Sequence, residues 1–143
     1  MSGAGKTSLL DELRRRGHLT VDTDDDGWER PDRSWDETLM TLLLESHRDM
    51  LVSGTVANQG RFYGRFEHVV LLSAPLDVLL ARVATRTTNP YGSTPEQRAE
   101  IAYYAATVEP LLRRGATLEL DGRRSAAELA DIVEQLLRHA VRP

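Results

Sequence analysis

A short glycine-rich segment at the start of the chain constrains its fold more than any other feature. Residues 1–7 read Met-Ser-Gly-Ala-Gly-Lys-Thr, and residues 8–14 continue with helical spacing of apolar side chains. Gly5, Lys6 and Thr7 fill the last three positions of the phosphate-binding pattern G-x-x-x-x-G-K-[ST]. Such a loop must open a helix, because the helix N-terminus presents unpaired N–H groups and the positive end of its dipole. The segment therefore predicts a nucleotide-binding α/β fold.

The first glycine of that pattern would lie one residue before Met1, and the hydrophobic strand that normally leads into the loop is not in the printed sequence. We therefore expect the reading frame upstream to encode about four to seven apolar, β-branched residues ending in glycine. The printed chain is then expected to be marginally stable and to bind nucleotide weakly, because unpaired backbone groups beside a vacant central strand are costly when buried.

Lys6 is the one lysine among 18 basic residues of the chain. A codon usage that disfavours lysine explains this rarity. A lysine kept where a flexible ammonium group must reach phosphate nevertheless favours a functional loop.

The composition narrows the class of protein. With 143 residues, the chain is expected to form a single domain with a substantial core. A net charge of −4 argues against nucleic-acid binding, and the absence of cysteine excludes disulfides and thiolate metal sites. No apolar run approaches the ~20 residues of a membrane span, so a cytoplasmic protein is the default expectation.

Apolar runs alternate with helical patterns along the chain, which predicts a mostly parallel sheet with crossover helices. His68–Ser73 is a continuous apolar run between its two end residues, as expected of a strand buried on both faces. Capping boxes at Ser34, Thr94 and Ser125 each predict a helix start. The other predicted strands are 18–22, 50–53 and 117–121. The predicted helices are 8–14, one from the capping box at 34–37 to about 48, 76–86, 95–114 with a kink at Pro110, and 126 onward.

At this point the chain resembles the small P-loop kinases of the shikimate, gluconate and adenylate kinase type, over nearly its whole length. Four features carry the resemblance: the loop at residues 3–7, Val21-Asp22-Thr23-Asp24, Arg82-x-x-x-Arg86, and Leu120-Asp121-Gly122. The resemblance implies a three-layer α/β/α P-loop NTPase with strand order 2-3-1-4-5, whose first strand is missing from this chain. It also implies a short lid-like segment at about 86–98.

The resemblance implies roles for individual residues in ATP- and Mg²⁺-dependent phosphoryl transfer. Lys6, Asp24 and Arg86 would be catalytic, and Thr7 with Asp24 would hold the metal ion. Asp22 would orient the acceptor hydroxyl, although Asp22 and Asp24 could exchange roles. The nucleotide-binding residues would be Gly3, Ala4, Gly5, Lys6, Thr7, Ser8, Arg82 and Asp121.

Simpler alternatives remain open for several of these residues. Asp22 to Asp26 could be a solvated acidic loop, since Asp is common in loops. Arg82 and Arg86 share one helix face, which could simply face solvent. For Trp28 and Trp35, packing in the core is preferred over a role in lining a binding pocket. The candidate acceptor ligands are Asn58, Gln59 and Arg61, followed by Arg65 and Arg98.

The departures from known patterns matter for the function. The chain has no apolar run ending in Asp-Glu, as ATPases of the motor or AAA type have, and no Asn-Lys-x-Asp guanine-binding motif. Ser53-Gly54-Thr55 replaces the acceptor motifs of the related kinases. The prediction is thus an ATP- and Mg²⁺-dependent phosphotransferase for a small, unidentified hydroxylated metabolite. The alternatives are a nucleotide-binding regulatory or sensor module without transferase activity, and an inactive fragment.

Overall fold

The computed structural model describes residues 5–23, 28, 30–32, 34–47, 49–56, 58–85 and 94–140. The chain divides into two compact units. The first unit comprises Met1–Lys6 and His68–Leu129, and the second unit comprises Thr7–Glu67 and Ala130–Pro143. Some predicted site residues lie outside the described ranges, namely Gly3, Ala4, Asp24, Arg86 and the part of the lid-like segment at 86–93.

Strands and helices follow one another along the chain largely in the predicted order. In chain order they are α1 Lys6–Arg15, β1 Leu19–Asp22, α2 Glu37–Ser46, β2 Met50–Ser53, a 3-10 helix Gln59–Arg65, β3 Val70–Ser73, α3 Leu76–Thr85, α4 Pro95–Thr107, α5 Glu109–Gly115, β4 Leu118–Asp121 and α6 Ala126–Ala140.

The second unit contains the parallel pair β1–β2, in which Leu19 lies opposite Met50 and Asp22 lies opposite Ser53. Both strands therefore end at the same edge. Trp35, Met40 and Phe62 form a buried cluster, into which Val52 of β2 also packs. Hydrophobic burial of this kind, at about 25 cal/mol per Å² of apolar surface, stabilises the pair where local propensity alone would not.

The start of α2 differs from the prediction. Ser34 was expected to cap this helix, but the carboxylate of Asp36 accepts the cap hydrogen bond from Leu39 N at 3.1 Å. The hydroxyl of Ser34 instead donates to Asp32 at 2.6 Å. An aspartate directly before the first helical residue is the better-placed acceptor, so the helix begins at Glu37 and the predicted capping box is wrong.

The first unit contains the parallel pair β3–β4, with Val70 opposite Leu118 and Ser73 opposite Asp121. Its buried cluster consists of Ala74, Leu79, Val83 and Ile101. The strand predicted at His68–Ser73 begins only at Val70, which is 38% exposed. Burial on both faces was therefore wrong for this strand, because β3 pairs with β4 alone among the described strands.

Three helix boundaries follow local sequence signals. Thr94 caps α4 by accepting a hydrogen bond from Gln97 N at 3.1 Å, and Ser125 accepts one from Glu128 N at the same distance. The predicted long helix at 95–114 divides at Val108, because Pro110 lacks the N–H that would continue the helix. Both predicted caps are confirmed, and the predicted kink is a division into α4 and α5.

Candidate functional site

The phosphate-binding residues predicted from the sequence lie at the start of α1. Gly5 precedes the helix with φ of 97°, a conformation that residues other than glycine rarely adopt. Lys6 is the first helical residue, and the side chains of Thr7 and Ser8 are exposed in the first turn. That turn contains no acidic side chain. A negatively charged ligand at this turn would meet the N–H groups of a helix N-terminus and the positive end of the helix dipole.

Gly5 lies beside two other segments of the first unit. A Cβ atom at this position would lie 3.8 Å from Nη1 of Arg82 and 3.8 Å from the backbone oxygen of Gly122. Arg82 belongs to α3, and Gly122 follows β4. Three parts of the chain that the sequence analysis selected separately thus meet at one place. The conformation of Gly5 and the adjacent guanidinium of Arg82, both in the first unit, are compatible with a bound phosphate.

Asp121 shapes the turn that brings Gly122 to this place. Its carboxylate accepts hydrogen bonds from Arg123 N at 2.9 Å and from Arg123 Nη2 at 2.9 Å. These contacts with Arg123 lower the pKa of Asp121 to about 2. Gly122 N donates to the carbonyl oxygen of Ser73 at 2.6 Å, which ties the turn to the end of β3. The Asp121 carboxylate thus supports the turn in this structure. Direct binding of nucleotide by Asp121 stays a prediction.

A shallow cleft of about 520 Å³ lies at the carboxyl ends of β3 and β4, and the sequence analysis missed it. Arg113 Nε donates to Glu119 at 2.7 Å, and Ser73 Oγ donates to the same carboxylate at 2.6 Å. These two donors, Arg113 first, lower the pKa of Glu119 to about 2. The available signal was the alternation in Leu118-Glu119-Leu120, which directs one acidic side chain away from the apolar face.

The predicted acceptor residues lie in the second unit. Asp22 is the last residue of β1 and lies in register with Ser53, the last residue of β2. Thr23, directly after Asp22, is fully buried. The two flanking aspartates, Asp22 and Asp24, were predicted to be site residues, and Thr23 was not. A small hydroxyl residue directly after a strand was the only local sign of its place.

The three candidate acceptor ligands of the 3-10 segment form hydrogen bonds within the second unit. Asn58 Oδ1 accepts from Trp35 N at 2.9 Å, and Gln59 Oε1 accepts from Val56 N at 2.8 Å. Arg61 pairs with Glu37 at 3.0 Å. These bonds connect the 3-10 segment to its neighbours. Binding of a substrate by Asn58, Gln59 or Arg61 stays a prediction, and it would have to replace these bonds.

The remaining candidates have different surroundings. Arg65 is exposed at the end of the 3-10 helix, and Arg98 is partly buried in the first turn of α4. Trp35 is 4% exposed and packs edge-on against Phe62, with 5.8 Å between ring centroids. The packing interpretation therefore holds for Trp35.

The described residues were compared with what a metal site and a membrane-spanning helix require. Within these ranges, His, Asp and Glu side chains do not gather in a group of three or more that could hold a metal ion. Asp24, the predicted metal ligand, lies outside those ranges. No helix among the described residues combines the length and the apolar character needed to cross a bilayer.

The parallel α/β pairs and the glycine-lysine loop at a helix start define a nucleotide-binding P-loop protein. A comparison with protein families matches residues 1–102 to the family described as "AAA domain". The match covers more than half of the chain, so the chain belongs to the AAA domain family and has the P-loop NTPase fold. No curated protein matches the chain. The missing Asp-Glu motif, which argued against ATPases of the AAA type, therefore does not exclude membership of this family.

Proposed function

We propose that this protein is an ATP- and Mg²⁺-dependent phosphotransferase whose acceptor is a hydroxyl group of a small metabolite. The observation that carries the proposal is Gly5 at a positive φ directly before Lys6 and Thr7, next to the guanidinium of Arg82. Phosphoryl transfer requires mainly positioning and neutralisation of charge, which are the two things that these groups can supply.

The first turn of α1 would hold the phosphates. The N–H groups of Lys6, Thr7 and Ser8 would donate to phosphate oxygens, and the Lys6 ammonium would neutralise their charge. The hydroxyl of Thr7 would be a metal ligand, together with Asp24. ATP with Mg²⁺, when bound, supplies the phosphoryl group and the charge neutralisation that transfer needs. Arg82 and Arg86 would contact the base and the transferred phosphate, while Asp121 would keep Gly122 in place.

The acceptor would be oriented by residues of the second unit. Asp22 would accept a hydrogen bond from the acceptor hydroxyl and act as a weak base. Asn58, Gln59 and Arg61 would contribute to acceptor binding by exchanging their present partners for the ligand. Ser53-Gly54-Thr55 differs from the acceptor motifs of related kinases, so the proposal commits to an alcohol acceptor and leaves its identity to the experiment.

The pairing of the strands and the family match support the fold that belongs to this proposal. The proposed fold is a single three-layer α/β/α domain with strand order 2-3-1-4-5 and a lid-like segment at about 86–98. The parallel pairs β1–β2 and β3–β4 support this proposal, because the order 2-3-1-4-5 would make strands 2 and 3 neighbours and strands 4 and 5 neighbours. The family match over residues 1–102 supports the phosphate-binding half of the proposal.

The test compares the Lys6→Ala variant with the wild-type protein. ADP release is measured with ATP and Mg²⁺ against a panel of polyols, sugars, nucleosides and aminoglycosides. We expect ADP release to depend on one class of acceptor, and Lys6→Ala to lower kcat/KM by about 10²–10³-fold, as loss of a transition-state donor does. Arg14→Ala is the control, because Arg14 is an exposed cation on the same helix, paired only at 3.5 Å with Asp11.

Two results would contradict the proposal. If calorimetry detects no binding of an ATP analogue with Mg²⁺, the site is not a nucleotide site. If the protein binds nucleotide tightly but releases no ADP with any acceptor, the regulatory or sensor function is correct instead.

A further inference from the structure

Thr23 has an unusual set of hydrogen bonds for a residue between two acidic side chains. Its N–H donates to the carbonyl oxygen of Ser53 at 2.9 Å, and its hydroxyl donates to the same oxygen at 2.8 Å. The hydroxyl also accepts a hydrogen bond from Trp35 Nε1 at 2.9 Å. Thr23 is fully buried and Trp35 nearly so, hence each of these polar groups would be costly to leave unpaired.

Gly54 leaves the space that this arrangement requires. A Cβ atom on Gly54 would overlap Thr23 Oγ1 and would lie 3.3 Å from Cζ2 of Trp35. The φ of Gly54 is not in the left-handed region, so the glycine is required here for space and not for its backbone conformation. The residue after β2 is thus small because the Thr23 hydroxyl occupies the place of its side chain.

Trp35 is itself held on two sides. Its backbone N–H donates to Asn58 Oδ1 at 2.9 Å, and its carbonyl oxygen accepts from Asn58 Nδ2 at 3.1 Å. Its ring packs against Phe62. The indole N–H is therefore aimed at Thr23 from a fixed position. We call Thr23, Trp35 and Gly54 the threonine clamp.

The threonine clamp holds the residue that directly follows Asp22 in the chain, which is Thr23. Ladder pairing positions Asp22 opposite Ser53 at the end of β1, and the clamp then binds the next residue to the same carbonyl oxygen. The end of a two-stranded pair would otherwise fray, since terminal segments open at low cost. The backbone is therefore held on both sides of the Asp22 Cα atom.

We propose that Thr23 is a positioning residue, whose buried hydroxyl, held by Trp35 and given space by Gly54, sets the place of the Asp22 carboxylate. The inference rests on the proposed function, in which Asp22 orients the acceptor hydroxyl. A carboxylate in that role must be held within about 0.5 Å, and a displacement of about 1 Å can lower the rate by about 10²-fold.

The test uses Thr23→Val, which keeps the shape and removes the hydroxyl, and Thr23→Ser, which keeps the hydroxyl. Thr23→Val is expected to lower kcat/KM for the acceptor by about 10–100-fold and to change KM for ATP by less than about twofold. Thr23→Ser is expected to stay within about threefold of wild type. In the Asp22→Asn background, Thr23→Val should have little further effect, because residues that act through one another are not additive.

Hydrogen exchange provides a readout that does not need activity. In Thr23→Val, exchange of the amides at positions 22 and 23 is expected to rise by about tenfold or more, while the amides of β3 and β4 keep their wild-type rates. Thr23→Ser should keep wild-type exchange at both positions.

The outcomes separate the two proposals. If wild-type protein releases no ADP with any acceptor, the proposed function fails, and the exchange result alone then decides whether the hydroxyl orders the end of β1. Unchanged exchange in Thr23→Val overturns the inference. So does an active wild type in which Thr23→Val lowers the melting temperature but leaves kcat/KM for the acceptor unchanged, or acts independently of Asp22→Asn.

Discussion

The two units hold the carboxyl ends of their strands with different chemistry. In the second unit, the end of β1 is bound by neutral, buried groups, the Thr23 hydroxyl and the Trp35 indole. In the first unit, the end of β4 carries ion pairs, Arg113 with Glu119 and Arg123 with Asp121, whose side chains are 36–60% exposed. In the second unit, Arg16 after α1 instead pairs with Glu134 of α6 at 2.6 Å, away from the carboxyl ends of the strands.

This difference predicts which substitutions and which solution conditions each unit tolerates at its strand ends. Buried neutral hydrogen bonds do not respond to salt or to moderate changes of pH, but each lost partner leaves an unpaired polar group. Exposed ion pairs contribute little each and are screened by salt. The carboxyl ends of the strands should therefore be sensitive to side-chain shape in the second unit and to acid in the first unit.

The two units can be compared at their strand ends only if truncation of a core side chain destabilises both units to a similar extent. Truncation of core residues tests this condition and has the largest expected effect. Met40→Ala in the second unit and Leu79→Ala in the first remove side chains that are 0% and 1% exposed. Each is expected to lower the free energy of unfolding by about 2–5 kcal/mol, measured by denaturant titration. Leu42→Ala, at a 53% exposed position of α2, is the control and should cost under about 1 kcal/mol.

A large difference between Met40→Ala and Leu79→Ala would break the comparison. The sensitivity of each unit would then come from its core and not from the chemistry at its strand ends.

Gly54→Ala tests the shape sensitivity of the second unit. The added methyl group overlaps Thr23 Oγ1, which is fixed by two hydrogen bonds and cannot move without losing them. We expect a loss of about 2–4 kcal/mol, from overpacking and broken buried hydrogen bonds. Gly60→Ala is the matched control, since its Cβ would have no described atom within 4 Å. Equal melting temperatures for the two variants would show that the end of β2 is loosely packed.

Glu119→Gln tests the acid sensitivity of the first unit and has the smallest expected effect. The pKa of Glu119 lies at about 2 in the folded protein, below its ordinary value, because Arg113 and Ser73 donate to the charged form. Its contribution is therefore present above about pH 4.5 and is lost as the pH falls towards 2. At pH 7 the variant should cost at most about 1 kcal/mol, since the carboxylate is partly exposed.

The measurement is the melting temperature between pH 7 and pH 2, at low and high salt. The fall in melting temperature between pH 5 and pH 2 should be smaller for Glu119→Gln than for wild type, although Asp121 and other carboxylates still contribute. Glu96→Gln, at an exposed position of α4, controls for the loss of one negative charge. Identical pH curves for wild type and Glu119→Gln would remove the proposed distinction between the units.

Local signals in the sequence predicted much of the fold. The helical spacing after Lys6, the caps at Thr94 and Ser125, and the proline at 110 act through neighbours within a few residues, so the chain sequence displays them directly. The pairing of strands as parallel ladders followed from the alternation of apolar runs and helices. The failure at Ser34 was also local: two good capping residues stood two positions apart, and Asp36 was the one adjacent to the helix.

The candidate site could be predicted only where its motif is contiguous. Gly5, Lys6 and Thr7 are neighbours in the chain, and the sequence alone determined that a glycine-lysine-threonine loop of the P-loop type opens α1. Only the tertiary structure decided that Gly122 and Arg82 approach Gly5, and that Asn58 supports Trp35. It also decided that Thr23 is buried against Trp35 and Gly54, residues 12 and 31 positions away. The physical reason is that burial and hydrogen bonding between distant segments depend on which surfaces meet, and no local pattern of residue types encodes that meeting.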